Sequence, residues 1–226
     1  MTQPMLNESL VRSIIAQVIA ELSRESGKAD DLTVPVELSA RHVHLSAEHA
    51  RQLFGGDLTF DRPLSQPGQF LCKERLRLIG PKGILDNVAI LGPVRQETQV
   101  EISLTDARNL GVKAPIRHSG DLPGSPGIIL ASHQGLVGLE AGVIVAGRHI
   151  HMPTDHAKKL GLQDRQLVRV RLDCERPLIL EDVLVRVADS FRLAMHIDFD
   201  EGNACGWDAN RSAQIIIKPE DHRHGS

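Results

Sequence analysis

Eleven histidines stand in this chain of 226 residues, and four of them form two His-x-His pairs that each follow an arginine: Arg41-His42-Val43-His44 and Arg148-His149-Ile150-His151. Imidazole nitrogen is a favoured ligand for zinc and its neighbouring transition metals. In an extended strand, residues two apart share one face, so each pair can close on a single ion. A catalytic zinc site usually takes three protein ligands and leaves a fourth position open. Each pair therefore asks for one more ligand.

An internal repeat supplies it. RHVHLSAEHARQL, from Arg41, aligns without gaps with RHIHMPTDHAKKL, from Arg148, sharing the arginine, both paired histidines, a third histidine, an alanine and a leucine. Further along, VEISLTDARNLG aligns with MHIDFDEGNACG, which sets Glu101 opposite His196 and Gly111 opposite Gly206. Two ions are expected, one held by His42, His44 and Glu101, the other by His149, His151 and His196. Arg41 and Arg148 fall on the opposite strand face and read as structural. The third histidines, His49 and His156, lie in SAEHARQL and PTDHAKKL, which read as short helices, so structural roles are expected for them as well.

Arg95 stands six residues before Glu101, after a Gly-Pro turn. Its planar guanidinium can bind phosphate or carboxylate bidentately, which suits an anionic substrate beside a metal. A surface ion pair with Glu97 fits the same local sequence equally well. His118 and His133 fall in a Gly-rich loop, where exposure or a substrate contact is expected, and His222 and His224 belong to a polar tail. Cys72, Cys174 and Cys205 are odd in number and widely spaced, which is neither a disulfide framework nor a Cys-x-x-Cys pair; core or turn roles are expected.

The elements that must position these groups follow from the apolar pattern. Leu6, Leu10, Ile14, Val18 and Leu22 recur at helical spacing within residues 5–22, which predicts an amphipathic helix, and the polar stretch Ser23–Asp31 then reads as a flexible linker. From Val34 onward, short runs of Val, Ile and Leu alternate with Gly, Pro and Asp turns, the spacing of small β-barrels or sandwiches. The Pro- and Gly-rich stretch APIRHSGDLPGSPGIILASHQG reads as a crossing loop with one buried strand and is a candidate boundary. Each half should begin with a strand, turn through a short helix after its His pair, and end with the strand carrying Glu101 or His196. Lys and Arg total 26 against 29 Asp and Glu, giving a net charge of −3, and they are scattered, which argues against a nucleic-acid partner. No apolar run reaches the roughly 18 residues of a membrane span, and no secretory signal is visible; a cytoplasmic location is expected.

ARHVHLS, GQFLCKERLRLIGPKG, LGPVRQETQVEIS, IRHSG, GRHIHM and MHIDFDEGNACG together resemble the PduL-type phosphotransacylases, the phosphate acyltransferases associated with bacterial microcompartments, from Val34 to about Lys218. The resemblance implies a mostly β chain with two tandem homologous β-barrel domains capped by short α-helices, 41–146 and 147–218. The second would be completed by the strand 34–40, exchanged from the start of the chain. It implies two Zn2+ per chain at the six ligands named above, other divalent metals being possible, and phosphate on Arg95. The implied reaction is reversible transfer of a short acyl group, propanoyl by family default and acetyl as an alternative, between coenzyme A and phosphate. It further implies that residues 1–24 act as an encapsulation peptide that docks with shell or core proteins of a microcompartment and promotes homo-oligomers, with 25–33 as linker and 219–226 as tail.

Two other readings remain open at this point. His42, His44, Glu48 and Gly55 reproduce most of a cupin metal motif, although Glu48 falls in a stretch that Ser46 would cap as a helix, and the second copy carries Asp155. A non-catalytic microcompartment scaffold tethered by the N-terminal helix is the other; it would not require two open metal sites.

Overall fold

The computed structural model describes residues 32–209 and 211–216. The amphipathic helix and linker expected within 1–31, and the tail 219–226, lie outside them. The alternating runs fold, in chain order, as β1 (Thr33–Val34), β2 (Val36–Ser39), β3 (His42–His44), α1 (Ala47–Phe54), β4 (Phe60–Pro63), β5 (Phe70–Ile79), β6 (Ile84–Gly92), β7 (Gln99–Glu101), α2 (Leu104–Leu110), β8 (Ile116–Arg117), β9 (Ile128–Ala131), β10 (Leu136–Leu139), β11 (Val143–Ala146), β12 (His149–Met152), α3 (Thr154–Leu160), β13 (Leu167–Asp173), β14 (Leu178–Val187), β15 (Ala194–Asp198), α4 (Phe199–Cys205) and β16 (Ser212–Ile216). The described residues are mostly β, with four short helices among them.

The strands form two sheets. One runs β10-β9-β5-β6-β3-β7-β11-β8, with β4 added on β5; the other runs β1-β16-β13-β14-β12-β15-β2. Register shifts within β4/β5, β5/β6 and β13/β14 bend the strands, and each sheet curls in the manner of a barrel around its own core. Val43, Leu45, Leu78 and Ile90 are among the fully buried residues of one core, and Ile150, Val170, Met195 and Val185 of the other. Within the Pro- and Gly-rich stretch, β8 pairs with β11 and β9 with β5, both strands of the first sheet.

In each sheet the His-x-His strand lies between a parallel and an antiparallel neighbour: β3 between β6 and β7, β12 between β14 and β15. The strand beyond the antiparallel neighbour comes from across the molecule. β2, at the start of the described chain, pairs in parallel with β15 of the seven-stranded sheet, and β1 pairs with β16. β11, which precedes β12, pairs in parallel with β7 of the other sheet. The chain thus passes between the sheets twice, at Ala40–Arg41 and at Gly147–Arg148, each time just before a His pair.

The short helices that follow the ligand strands are closed at both ends. Ser103 with Asp106 and Asp198 with Glu201 form capping boxes at the starts of α2 and α4, which satisfy N–H groups that have no partner inside a helix. Gly111 and Gly206 end them at φ +78 and +63, a left-handed turn that only glycine makes without strain. The crossing arginines bind these boxes: Arg41 Nε lies 3.2 Å from Asp106 Oδ2, and Arg148 Nε 3.3 Å from Glu201 Oε1. Both are thus paired with a helix cap, and Arg41 also borders the cavity onto which the His pairs open. His49, on α1, also meets its own frame, with Nδ1 2.7 Å from Thr98 Oγ1, which accepts from the Ser46 amide at 2.9 Å.

Candidate active site

Alternation along β3 and β12 sends Val43 and Ile150 into the cores and the flanking histidines toward a common cavity of about 630 Å³. His42 and Glu101 stand directly opposite each other in the β3/β7 ladder, as His149 and His196 do in β12/β15. Each third residue is thus brought to its pair by backbone register. Nδ1 of His42 lies 2.8 Å from the Ala40 carbonyl, and Nδ1 of His149 lies 2.9 Å from the Gly147 carbonyl. A carbonyl only accepts, so Nδ1 carries a proton in both, and in the neutral ring Nε2 keeps its lone pair. The two crossing points of the chain therefore fix the tautomers of the first histidines.

Three other ring nitrogens have no protein partner. Nδ1 of His44, Nδ1 of His151 and Nε2 of His196 are buried without any hydrogen-bond partner. Leaving such an atom unsatisfied costs about 1–3 kcal/mol, and here it is repeated three times around one cavity. A divalent cation would satisfy these lone pairs, and the donor set of imidazoles with one carboxylate suits zinc. The residues present fit the metal that the sequence pattern implies.

His42, His44 and Glu101 offer ligand atoms all within 4.8 Å of one another, the one such group of three among the described residues. Glu101 Oε2 lies 3.5 Å from His42 Nε2, and Oε1 lies 3.8 Å from His44 Nε2. Burial alone would raise the Glu101 pKa, but the charges and hydrogen bond of the neighbouring histidines and Arg95 hold it far below the usual carboxylate range. Burial would lower His42, yet Glu101 outweighs it and leaves His42 above its ordinary value. His44, pushed down to about 3 by burial and then by His42 and Arg95, is neutral at pH 7 with a lone pair to give.

His149, His151 and His196 pack with ring centroids 4.7 to 5.2 Å apart. Burial, followed by neighbouring histidines and Arg186, pushes His149 down to about 4 and His151 to about 3. Burial likewise takes His196 down to about 4, against an opposing pull from Glu101. All three are therefore neutral donors. Their ligand atoms are less tightly gathered than those of the first triad, and the rings of His149 and His196 lie stacked, 15° from parallel.

Arg95 also lines the cavity. Its Nη1 donates to Ser119 Oγ at 2.9 Å, and no ion pair joins it to Glu97 among the described residues. Ser119 in turn donates to Glu101 Oε1 at 3.1 Å and accepts from Gln99 Nε2 at 2.8 Å, while that same Gln99 amide reaches Glu101 Oε1. One serine thus ties the arginine to the first triad. Burial lowers the Arg95 pKa, Glu101 opposes, and the charge of Arg186 lowers it further. Arg186 lines the cavity from β14, beside the second triad and 5.8 Å from the Phe191 ring centroid, with no ion pair among the described residues.

Sequence reading named the six ligand positions and Arg95 but missed Ser119, Gln99, Arg186 and Glu37. Arg186 is brought beside the second triad by the β12/β14 register, which pairs it with His151. Of the remaining candidates, His118 is exposed and His133 lies 6.5 Å from the Phe54 ring, and neither lines the cavity. Glu48 sits on α1, capped by Ser46, which removes it from the strand a cupin motif requires. All three cysteines are buried and free, and burial pushes Cys72 and Cys205 up to about 11, so neither offers a thiolate nucleophile at neutral pH.

This arrangement of ligands is carried by a chain that has close relatives throughout its described length. A phosphate propanoyltransferase of Leptotrichia buccalis is 52% identical over 90% of this chain and 98% of its own. Enzymes of the same name from Sebaldella termitidis and Listeria monocytogenes are 49% and 48% identical, over 92% and 94% of this chain and 98% of theirs. The family profile for phosphate propanoyltransferase matches residues 35–208, which span both sheets and both triads. With that match and these identities, the chain belongs to the phosphate propanoyltransferase family, a family of transferases.

Proposed function

We propose that this chain reversibly transfers a propanoyl group between coenzyme A and phosphate, giving propanoyl phosphate, at a site of two zinc ions. The observation that carries the reading is that both histidine triads open on one cavity, flanked by two arginines without carboxylate partners within ion-pair distance among the described residues. His42, His44 and Glu101 would hold one ion and His149, His151 and His196 the other. Bound there, zinc would supply Lewis acidity toward the phosphate and the departing thiolate.

The chain's own residues supply positioning. Ser119 anchors one edge of the Arg95 guanidinium and leaves the rest free to fork onto phosphate oxygens. Arg186, whose charge Arg95 already feels, gives the same anion a second cation. Phosphate is anionic at neutral pH and needs no general base. Its oxygen attacks the thioester carbonyl carbon, a tetrahedral intermediate forms, and the carbon–sulfur bond breaks to release the coenzyme thiolate. Holding both reactants in one desolvated cavity supplies much of the rate. An acyl-cysteine has no candidate, because the three thiols are buried.

The two halves, 41–146 and 147–218, are read as copies of one unit, with 34–40 exchanged into the second. Their support is the recurrence of register, crossing point, arginine and capping box described above. Residues 1–24 are read as the segment that recruits the enzyme into a bacterial microcompartment of the cytoplasm and promotes homo-oligomers. Deleting them should leave turnover intact and abolish co-localisation with shell proteins.

Release of coenzyme A from propanoyl-CoA by the zinc-loaded chain, with and without phosphate, tests the reaction. Release that requires phosphate is expected. Release indifferent to phosphate would mark a thioesterase, and no release would favour a scaffold.

A further inference from the structure

The second triad has three neutral imidazoles and no carboxylate among its proposed ligands, yet one carboxylate faces it from the exchanged strand. Glu37, on β2, pairs with His196 in the parallel β2/β15 ladder, so their side chains rise on the same side. Its Oε2 lies 3.9 Å from His196 Nε2, the buried nitrogen that has no hydrogen-bond partner. Two donors on one tetrahedral zinc stand about 3.3 Å apart, from bond lengths near 2.0 Å. Small side-chain rotations would bring this pair to that separation. Ser65 holds the carboxylate in place, donating from Oγ to Oε2 at 2.5 Å, and Glu37 is one of the cavity-lining residues.

The corresponding place in the other sheet sharpens the point. There the strand beyond the third ligand is β11, and the residue paired with Glu101 is Ile144, fully buried. Each centre therefore has one carboxylate on its last two strands. In the first it stands on the ligand strand itself, and in the second it stands on the neighbour. A divalent ion held by three neutral ligands keeps its whole charge, and a carboxylate within reach offsets part of that charge. Glu37 is also 38% exposed at its side chain, toward the cavity, so it can approach the ion or a water on it without repacking the core.

We propose that Glu37 is an additional oxygen donor of the second metal centre, supplied by the exchanged strand. This rests on the two-ion reading of the site. The test is metal affinity in the full chain. Wild type, Glu37→Gln and Ser65→Ala are stripped of metal and titrated with zinc against a chromophoric chelator, and cobalt-loaded samples are compared by visible absorption.

Wild type should bind two zinc ions. Glu37→Gln keeps the shape and can still accept from Ser65, so its metal-free melting temperature should match wild type. Its weaker site should lose at least about tenfold in affinity, with the tighter site unchanged and the cobalt spectrum altered. Ser65→Ala should shift the same site by a smaller factor. If wild type binds two ions and Glu37→Gln binds both with wild-type affinity and spectrum, Glu37 is no part of the centre, while the two-ion reading stands. If wild type itself binds fewer than two, the two-ion reading fails and this inference falls with it.

Discussion

In the first triad the third group is a buried carboxylate, and in the second it is an imidazole, although both stand at the same place in the same strand arrangement. Around that exchange the wiring diverges. Glu101 is gripped by Ser119 and Gln99 and drawn to His42, and the ligand atoms of this triad stand within 4.8 Å of one another. His196 has no such clamp among the described residues. It stacks on His149, leaves Nε2 unsatisfied, and has a carboxylate only on the adjoining strand. One backbone frame thus supports two centres of different charge. On the two-ion reading, the first ion would be partly neutralised by a carboxylate on the ligand strand itself, and the second only through the carboxylate of the adjoining strand.

That contrast can be broken most severely by removing a ligand from each side. His44→Ala and His151→Ala should each lower phosphate-dependent coenzyme A release by about 10³-fold or more. On metal analysis, each should lose one ion and keep the other. A variant with near-normal turnover and fewer than two ions would show that one centre is idle.

A smaller effect is expected from the arginine attached to the first centre. Arg95→Lys keeps the charge and loses the fork, so the phosphate-dependent rate should fall by about tenfold or more. Saturation kinetics in phosphate check it, and unchanged kinetics would return Arg95 to a structural role. Ser119→Ala should weaken zinc at the first centre alone, by about tenfold, since it removes a hydrogen bond that orients Glu101. Equal losses at both centres, measured by chelator competition, would mean that the two are not separately wired.

The smallest effects belong to the features that the two halves share. Arg41→Ala and Arg148→Ala each break a partly exposed ion pair to a helix cap, and each should cost about 0.5–1 kcal/mol in chemical denaturation with turnover unchanged. A large loss of activity in either would place the crossing arginines in the site rather than in its frame.

Much of the frame was legible because it is written in local rules. Alternation set His42 with His44 and His149 with His151, and the repeat pointed to Glu101 and His196, which the ladders then place opposite those pairs. Ser46 announced the helix that keeps Glu48 away from a strand. What was not legible depends on long-range register. Glu37 reads as a polar strand residue until β2 is laid beside β15 in the other sheet. Ser119 sits in a stretch read as a crossing loop, and only the fold brings its hydroxyl between Arg95 and Glu101. The same stretch suggested a boundary because Pro and Gly mark turns as readily inside a sheet as between domains.

The two metal centres are read as acting together on one acyl transfer. Stepwise addition of zinc to the metal-free chain, following phosphate-dependent release of coenzyme A from propanoyl-CoA at each step, tests it most directly. Activity should stay low until the first equivalent is bound, rise as the second fills, and level off at two per chain. Full activity at one equivalent, or in the metal-free chain, would contradict it.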